Sequence, residues 1–290
     1  MKRFGIFSGD NASPAPKPKP PGDKRVPLVA GVPLGTIIPR KFEPDPHLIM
    51  ANRPGSPIAE RYRRLRLKLD QPDANNAPRQ VIVVTSAVPD EGKTTNSINL
   101  ALAMAEDRDR RTLLVDADLR RPAVTRYITP QPTLGLSEVL TGEAPLDHVI
   151  IEIKAFRLSI LPAGAPSTNP LELLQSDYLA SVFAELRQRF DRIIVDTPPT
   201  VPFTDAAVLN GVSDGAILIV RAGKTTRPLV MRARASLAQS TLLGVLLNDV
   251  KFTPVDRYYY QYDDYNPRRY SGGGRGEKRY EDNDKENPSS

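Results

Sequence analysis

The chain has 290 residues, 40% of them hydrophobic, with a net charge of +6 and no cysteine. That length holds one α/β domain of ordinary size with tails, or two small domains, and the missing cysteines exclude a disulfide frame. The positive balance favours acidic partners, such as nucleotide phosphates or an anionic membrane surface, without naming one.

Residues 1–55 are rich in Pro, Lys and Gly, as in Ala15-Pro16-Lys17-Pro18-Lys19-Pro20-Pro21, and read as a disordered arm with polyproline character. Lys2 and Arg3 are followed too soon by Ser8, Gly9 and Asp10 to open a signal peptide. The longest apolar run, between Val26 and Ile38, is interrupted by Pro27 and Pro33 and is too short to cross a bilayer as a helix. A cytoplasmic location is the expectation.

Residues 56–252 alternate short β-branched runs with amphipathic stretches. The runs are Val81–Val84, Thr112–Val115, Leu158–Leu161, Ile193–Val195, Ala216–Val220 and Leu242–Leu247; the clearest helical stretches are Thr94–Glu106 and Tyr178–Phe190. Continuous apolar strands separated by helices predict an α/β fold: a mostly parallel sheet with helices on both faces. Residues 253–290 have no periodic apolar face and are expected to be disordered.

Directly after the first run stands Ala87-Val88-Pro89-Asp90-Glu91-Gly92-Lys93-Thr94, a P-loop pattern with Ala in place of the first Gly. Its backbone N–H groups and the start of the next helix would converge on phosphate oxygens. Lys93 would reach the β- and γ-phosphates, and the Thr94 hydroxyl could ligate Mg²⁺. Two further runs end in carboxylates, at Asp116-Ala117-Asp118 and at Asp196. Ligands collect at the carboxyl ends of parallel strands, so Asp116, Asp118 and Asp196 should meet the P-loop. There they could hold Mg²⁺, and one could accept a proton from a nucleophile. The two histidines, His47 and His148, have no partners at metal-ligand spacing.

These residues resemble a known family. Leu114 to Pro122, Ser86 to Thr95, Leu161-Pro162-Ala163-Gly164 with Asn169-Pro170 and Glu172-Leu173-Leu174, Asp191 to Pro199, and Gly244 to Asn248 match the bacterial tyrosine kinases of exopolysaccharide biosynthesis (the CpsD/CapB group). These are a MinD-like branch of P-loop proteins, and the match spans the domain from Ser56 to Phe252. The resemblance implies an autophosphorylating protein-tyrosine kinase that uses ATP and Mg²⁺. It implies a nucleotide site of Ala87, Asp90, Glu91, Gly92, Lys93, Thr94, Thr95 and Asn248, the last against the adenine. Catalysis would fall to Lys93, Asp116 and Asp118, with Asp116 favoured as the proton acceptor, and the metal to Thr94, Asp118 and Asp196. Glu60, Arg63 and Arg66 match the family's E-x-x-R-x-x-R helix at the interface of a homo-oligomeric ring. From the residues alone, they also read as a solvated helix face with i,i+3 ion pairs. A membrane-anchored polysaccharide co-polymerase or adaptor would recruit the protein to the inner face of the membrane.

Two positions depart from the pattern. Asp90 stands where many relatives have Gly, a residue tolerant of unusual backbone angles but negatively charged beside the phosphates. Val88 stands where MinD and ParA ATPases carry a second lysine, which argues against a dimer-sandwich positioning ATPase. The tail holds Tyr258, Tyr259, Tyr260, Tyr262, Tyr265, Tyr270 and Tyr280, an unusual concentration for a segment without a core. They are read as phosphoacceptors. Interleaved Arg268, Arg269 and Arg275 leave nucleic-acid affinity as the other reading of the tail, although no specific nucleic-acid partner is expected. The alternative to a kinase is an ATP-binding regulator of polysaccharide assembly.

Overall fold

The computed structural model describes residues 40–43, 45–73, 76–237 and 241–251. The chain separates after Asn248 into two units, and of the second only residues 249–251 are described. The seven tail tyrosines and the arm up to residue 39 therefore lie outside the described residues.

The first unit opens with β1 (Lys41–Phe42), α1 (Ile49–Asn52) and α2 (Pro57–Leu69). Then come β2 (Val81–Ser86), α3 (Lys93–Ala105), β3 (Thr112–Asp116) and, after a 3₁₀ turn, β4 (Ile128–Thr129). The middle holds α4 (Leu136–Leu140), α5 (Leu146–Val149), β5 (Ile151–Ile153), β6 (Leu158–Leu161), α6 (Pro170–Leu174) and α7 (Asp177–Arg189). It closes with β7 (Arg192–Asp196), α8 (Asp205–Asn210), β8 (Gly215–Arg221), α9 (Arg227–Ser236) and β9 (Leu242–Asn248).

Seven strands form one sheet in the order β5-β6-β3-β7-β2-β8-β9, parallel throughout except for the β5–β6 pair. The six apolar runs of the sequence are six of these strands. The exception, β5, is a three-residue antiparallel edge that periodicity could not announce. β1 and β4 make a separate two-residue ladder.

Strand alternation divides the apolar side chains between two cores. Val81 and Val83 of β2 join Leu113, Val115 and Phe183 on one face of the sheet. Ile82 and Val84 join Leu114, Ile194 and the apolar residues of α3 on the other. Full burial of each such side chain stabilises the fold by about 1.5–3 kcal/mol. α3 is buried on nearly all sides, because the sheet lies on one flank and α1 and α2 on the other. α2 begins where the Ser56 hydroxyl accepts the Ala59 N–H, with Pro57 pre-set in its first turn.

The packed structure starts earlier than the boundary expected at residue 56. Phe42, Leu48 and Met50 are buried against the α3 side of the sheet. Their placement depends on the Asn99 side chain, which binds the Met50 N–H and the His47 carbonyl. No local pattern in residues 40–55 signals a contact so distant in sequence.

The topology creates the site. From β2 the chain runs through α3 to β3, leaving a place that β7 later fills. From β7 it crosses β2 to enter β8 on the far side. Connections thus diverge at β2, and the crevice beyond its carboxyl end is where open α/β sheets bind ligands.

Candidate active site

The loop between β2 and α3 owes its shape to two left-handed residues. Asp90 has φ 61° and Gly92 has φ 87°. Asp90 therefore adopts the backbone angle that glycine supplies most readily, and α3 starts from Gly92. A Cβ on Gly92 would clash with Asn248 Nδ2, so the loop is also closely packed there. Side chains hold the rest. Ser86 Oγ donates to Val88 O (2.8 Å), Val88 N to Glu91 Oε2 (3.0 Å) and Asn248 Nδ2 to Glu91 O (2.8 Å). Thr225 Oγ1 bonds Glu91 Oε1, and Arg221 Nη1 donates to the Asp90 carbonyl. Glu91 is buried and acts from within the loop as its brace.

Two neighbouring strands bring the carboxylates to this loop. Asp116 and Asp196 are direct Cα partners in the β3–β7 register, and Val84 of β2 pairs with Asp196. The first turn of α3 meets them. Lys93 Nζ lies 3.0 Å from Asp118 Oδ2. Thr94 Oγ1 donates to Asp196 Oδ2 at 2.6 Å, and Ser97 Oγ to Asp196 Oδ1 at 3.0 Å. Asp116 is turned the other way. It accepts the N–H groups of Asp118 (3.2 Å), Ala123 (3.1 Å) and Val124 (3.0 Å), organising the segment that follows β3.

Crowding sets the charge states. Burial, then the negative charges of Asp196 and Asp118, push Asp116 up to about 7 against the pull of its N–H donors. Asp196 is also raised, chiefly by burial, although Lys93, Thr94 and Ser97 oppose the shift. For Lys93, burial favours the neutral amine, but the charges of Asp196, Asp118 and Asp116 outweigh it and raise its pKa. The ammonium therefore stays charged.

The donor set suits a P-loop magnesium site. Thr94 offers a hydroxyl and Asp196 a carboxylate, both hard oxygens, at the mouth of the anion cradle. Among the described residues no cluster of three or more His, Cys, Asp or Glu would hold a metal by protein ligands alone. Mg²⁺ in this setting draws its remaining ligands from phosphates and water, so such a cluster is not required.

The predicted interface residues have partners inside the chain. Arg63 grips Glu106 with two hydrogen bonds (2.8 and 2.7 Å) and lies 3.5 Å from Glu60. Arg66 donates to the Ala103 carbonyl (2.9 Å). Both arginines thus fasten α2 to the end of α3, while the Glu60 side chain is 43% exposed.

Sequence reasoning passed over several residues that shape the site. Ser97 is a second hydroxyl on Asp196. Arg120 forks onto buried Asp205 (2.7 and 3.0 Å), lies over the Phe203 ring, and borders an open cleft of about 730 Å³ with Asn169, Pro170 and Glu172. Glu138 braces the Pro162-Ala163-Gly164 turn by accepting Gly135 N and Ala165 N. Ser97 had a readable signal, one helical turn after Lys93, and Arg120 lies in the matched run after β3, but nothing local shows its pairing with Asp205.

A strand, a P-loop, a helix and facing strand-end acids define a P-loop nucleotide-binding protein. An AAA-domain family model matches residues 79–227. The MinD septum-site protein of Pyrococcus horikoshii, at TM-score 0.50 and 24% identity, covers 63% of this chain and 76% of its own, a likeness of fold alone.

Nearer relatives narrow the class. The tyrosine-protein kinase YwqD of Bacillus subtilis is 33% identical over 74% of this chain and 90% of its own length. The kinase domain of the Escherichia coli tyrosine kinase ETK aligns at TM-score 0.66 and 29% identity, over 74% of this chain and 84% of its own. The succinoglycan biosynthesis transport protein ExoP of Rhizobium meliloti is 38% identical over 72% of this chain but only 27% of its own length. The chain belongs to the bacterial tyrosine-protein kinase family, on an AAA-type P-loop domain.

Proposed function

We propose that this protein transfers the γ-phosphoryl group of ATP to protein tyrosines and thereby regulates the synthesis or export of capsular or extracellular polysaccharide. One observation carries the reading. Lys93 stands among three buried carboxylates, Asp116 and Asp196 at the ends of adjacent strands and Asp118 just beyond β3, an excess of negative charge that a magnesium ion brought in with the nucleotide would offset. YwqD supports the tyrosine-kinase part and ExoP the polysaccharide part.

In the transfer, a tyrosine oxygen forms a bond to the γ-phosphorus as the bond to the β-bridging oxygen breaks, and ADP leaves. Mg²⁺, held by Thr94 and Asp196 with Asp118 close by, would neutralise phosphate charge. Lys93 exchanges Asp118 for the β- and γ-phosphates and stabilises the transferring group. The tyrosine proton passes to Asp116, whose pKa of about 7 suits a base at neutral pH; Asp118 is the second candidate. Ala87 to Thr95 supply the anion cradle, and Asn248 lies against the loop ready to meet the adenine.

The acceptors are the tail tyrosines, Tyr258 to Tyr280, reached between neighbours in a ring whose interface includes Glu60. The protein works in the cytoplasm, drawn to the membrane by a co-polymerase partner. No helix among the described residues is long and apolar enough to cross a membrane.

Incubation with ATP and Mg²⁺, followed by mapping of phosphotyrosine by mass spectrometry, tests the reading. Labelling should concentrate on the tail and vanish in Lys93→Met. If no tyrosine is labelled even with a cognate adaptor fragment, the protein is an ATP-binding regulator instead.

A further inference from the structure

α3 carries two asparagines in its buried interior, Asn96 and Asn99. Asparagine is a poor residue there, since its amide competes for backbone groups and must find partners away from water. Both amides are engaged, and both reach out of the helix. Asn99 Nδ2 donates to the carbonyls of His47 (2.8 Å) and Thr95 (2.9 Å), while its Oδ1 accepts Met50 N (3.0 Å). Asn96 Nδ2 donates to the Gly92 carbonyl (2.8 Å), and its Oδ1 accepts the hydroxyl of Tyr62 on α2 (2.8 Å).

The second bridge ends in the P-loop. The Gly92 carbonyl and the Lys93 N–H belong to one planar peptide unit, so holding the oxygen sets the direction of the N–H. Gly92 is also the left-handed residue from which α3 starts, with Asn248 packed against it. Burial pushes the Tyr62 hydroxyl up to about 12, so it remains a donor throughout the physiological range. α2 itself is anchored at the far end of α3 by Arg63 and Arg66.

We propose that Tyr62 is a positioning residue for the nucleotide: its hydroxyl, acting through Asn96, holds the Gly92–Lys93 peptide in the orientation that aims the loop N–H groups at phosphate. The inference rests on the nucleotide-binding reading of the loop. Without the hydroxyl, Asn96 Oδ1 is left in the interior without this donor and its amide is freer to turn; the Gly92 carbonyl keeps the Asn96 backbone N–H (3.0 Å), but its second donor, the one that ties it to α2, is no longer fixed. α2 is thereby part of the phosphate site, although none of its residues belongs to the P-loop.

The test is titration of the full chain with a fluorescent ADP analogue and Mg²⁺, alongside unfolding without nucleotide. Tyr62→Phe, which removes one oxygen, should weaken binding about 5–10-fold. Asn96→Ala removes the donor to the same carbonyl while leaving every residue of α2 unchanged, and it should weaken binding at least as much. The double variant should bind no worse than Asn96→Ala alone, because the two residues form one relay. Exposed Tyr178, changed to Phe, should leave affinity unaltered. A lowered unfolding midpoint in Tyr62→Phe with unchanged affinity would make Tyr62 a packing residue and overturn the inference, as would additive losses in the double variant. If the unmutated chain fails to bind Mg·ADP, the nucleotide reading itself falls.

Discussion

The two ends of the sheet treat their charges in opposite ways. At the amino ends Asp70, Asp107, Asp191 and Asp214 are paired with arginines. Arg192, nearly buried at the start of β7, forks onto Asp70 (2.8 and 2.6 Å), reaches Asp107 (3.0 Å) and donates to the Met104 carbonyl (3.0 Å). Arg187 pairs with Asp214, which also accepts the N–H groups of Gln80 and Val81. Asp214 and Asp107 are held below the usual carboxylate range: burial resists, but Arg187 in one case and the Asp109 N–H with Arg192 in the other prevail. Asp191 is lowered first by the Arg111 N–H. At the carboxyl ends Asp116, Asp118 and Asp196 share one lysine, and both Asp116 and Asp196 are raised. Matched charges hold the fold together. Unmatched charges mark the end that waits for a ligand, and they stand at some cost to stability.

Removing one charge from each end should have opposite consequences. Asp196→Asn should reduce phosphoryl transfer on the order of 10²–10³-fold, in line with the loss of one strong electrostatic contact in a catalytic site. Its melting temperature should hold or rise, because a like-charge contact has gone. A variant that loses stability along with activity would place Asp196 among the structural acids.

Arg192→Ala should do the reverse. Leaving Asp70 and Asp107 without their cation should cost about 3–5 kcal/mol of stability, the penalty for breaking a buried pair from one side. Transfer per folded molecule should stay near normal, read by autophosphorylation in the folded fraction after denaturant titration.

Proton linkage supplies a gentler probe. Asp116 binds its proton more tightly folded than unfolded, with a pKa of about 7 against its ordinary 3.8. Between those values the native state holds more protons, so stability at this site falls as pH rises from about 4 to about 7. The lowered acids at the other end give the opposite slope, at lower pH. Asp116→Asn should flatten the decline between pH 4 and 7 in urea midpoints. An unchanged slope would mean that Asp116 ionises freely in the fold.

The smallest effect is expected at α2. Arg63→Ala should cost no more than about 1 kcal/mol, since its pair with Glu106 is partly exposed. Glu60→Lys should barely change stability but should lower the oligomeric mass by light scattering and slow tail labelling. Unchanged mass in a protein that is otherwise oligomeric would leave Glu60 as a solvated helix residue.

Much of the fold and of the site is legible in the amino-acid sequence. The P-loop, both strand-end acids and six of seven sheet strands are continuous segments whose chemistry or apolar run is visible locally. Asp90 was readable as a residue tolerant of unusual backbone angles, and it does adopt a left-handed one. The burial of Phe42, Leu48 and Met50 was not readable, because Leu48 and Met50 lie in a segment tied to Asn99, about fifty positions away. The inward turn of Arg63 and Arg66 was hidden for the same reason: helical spacing shows which side chains share a face, not what that face meets.

The class of chemistry is local information, since a phosphate cradle and the acids that follow apolar strands are written in adjacent residues. The different surroundings of those acids come from the fold. Asp116 and Asp196 occupy equivalent strand ends, in direct register, yet one faces three main-chain N–H groups and the other two hydroxyls of α3. That difference arises because β7 is inserted between β2 and β3, bringing Asp196 beside the P-loop helix and leaving Asp116 to order the turn behind it. Strand order is set by how helices cover the sheet over the whole domain, and no run of neighbouring residues encodes it.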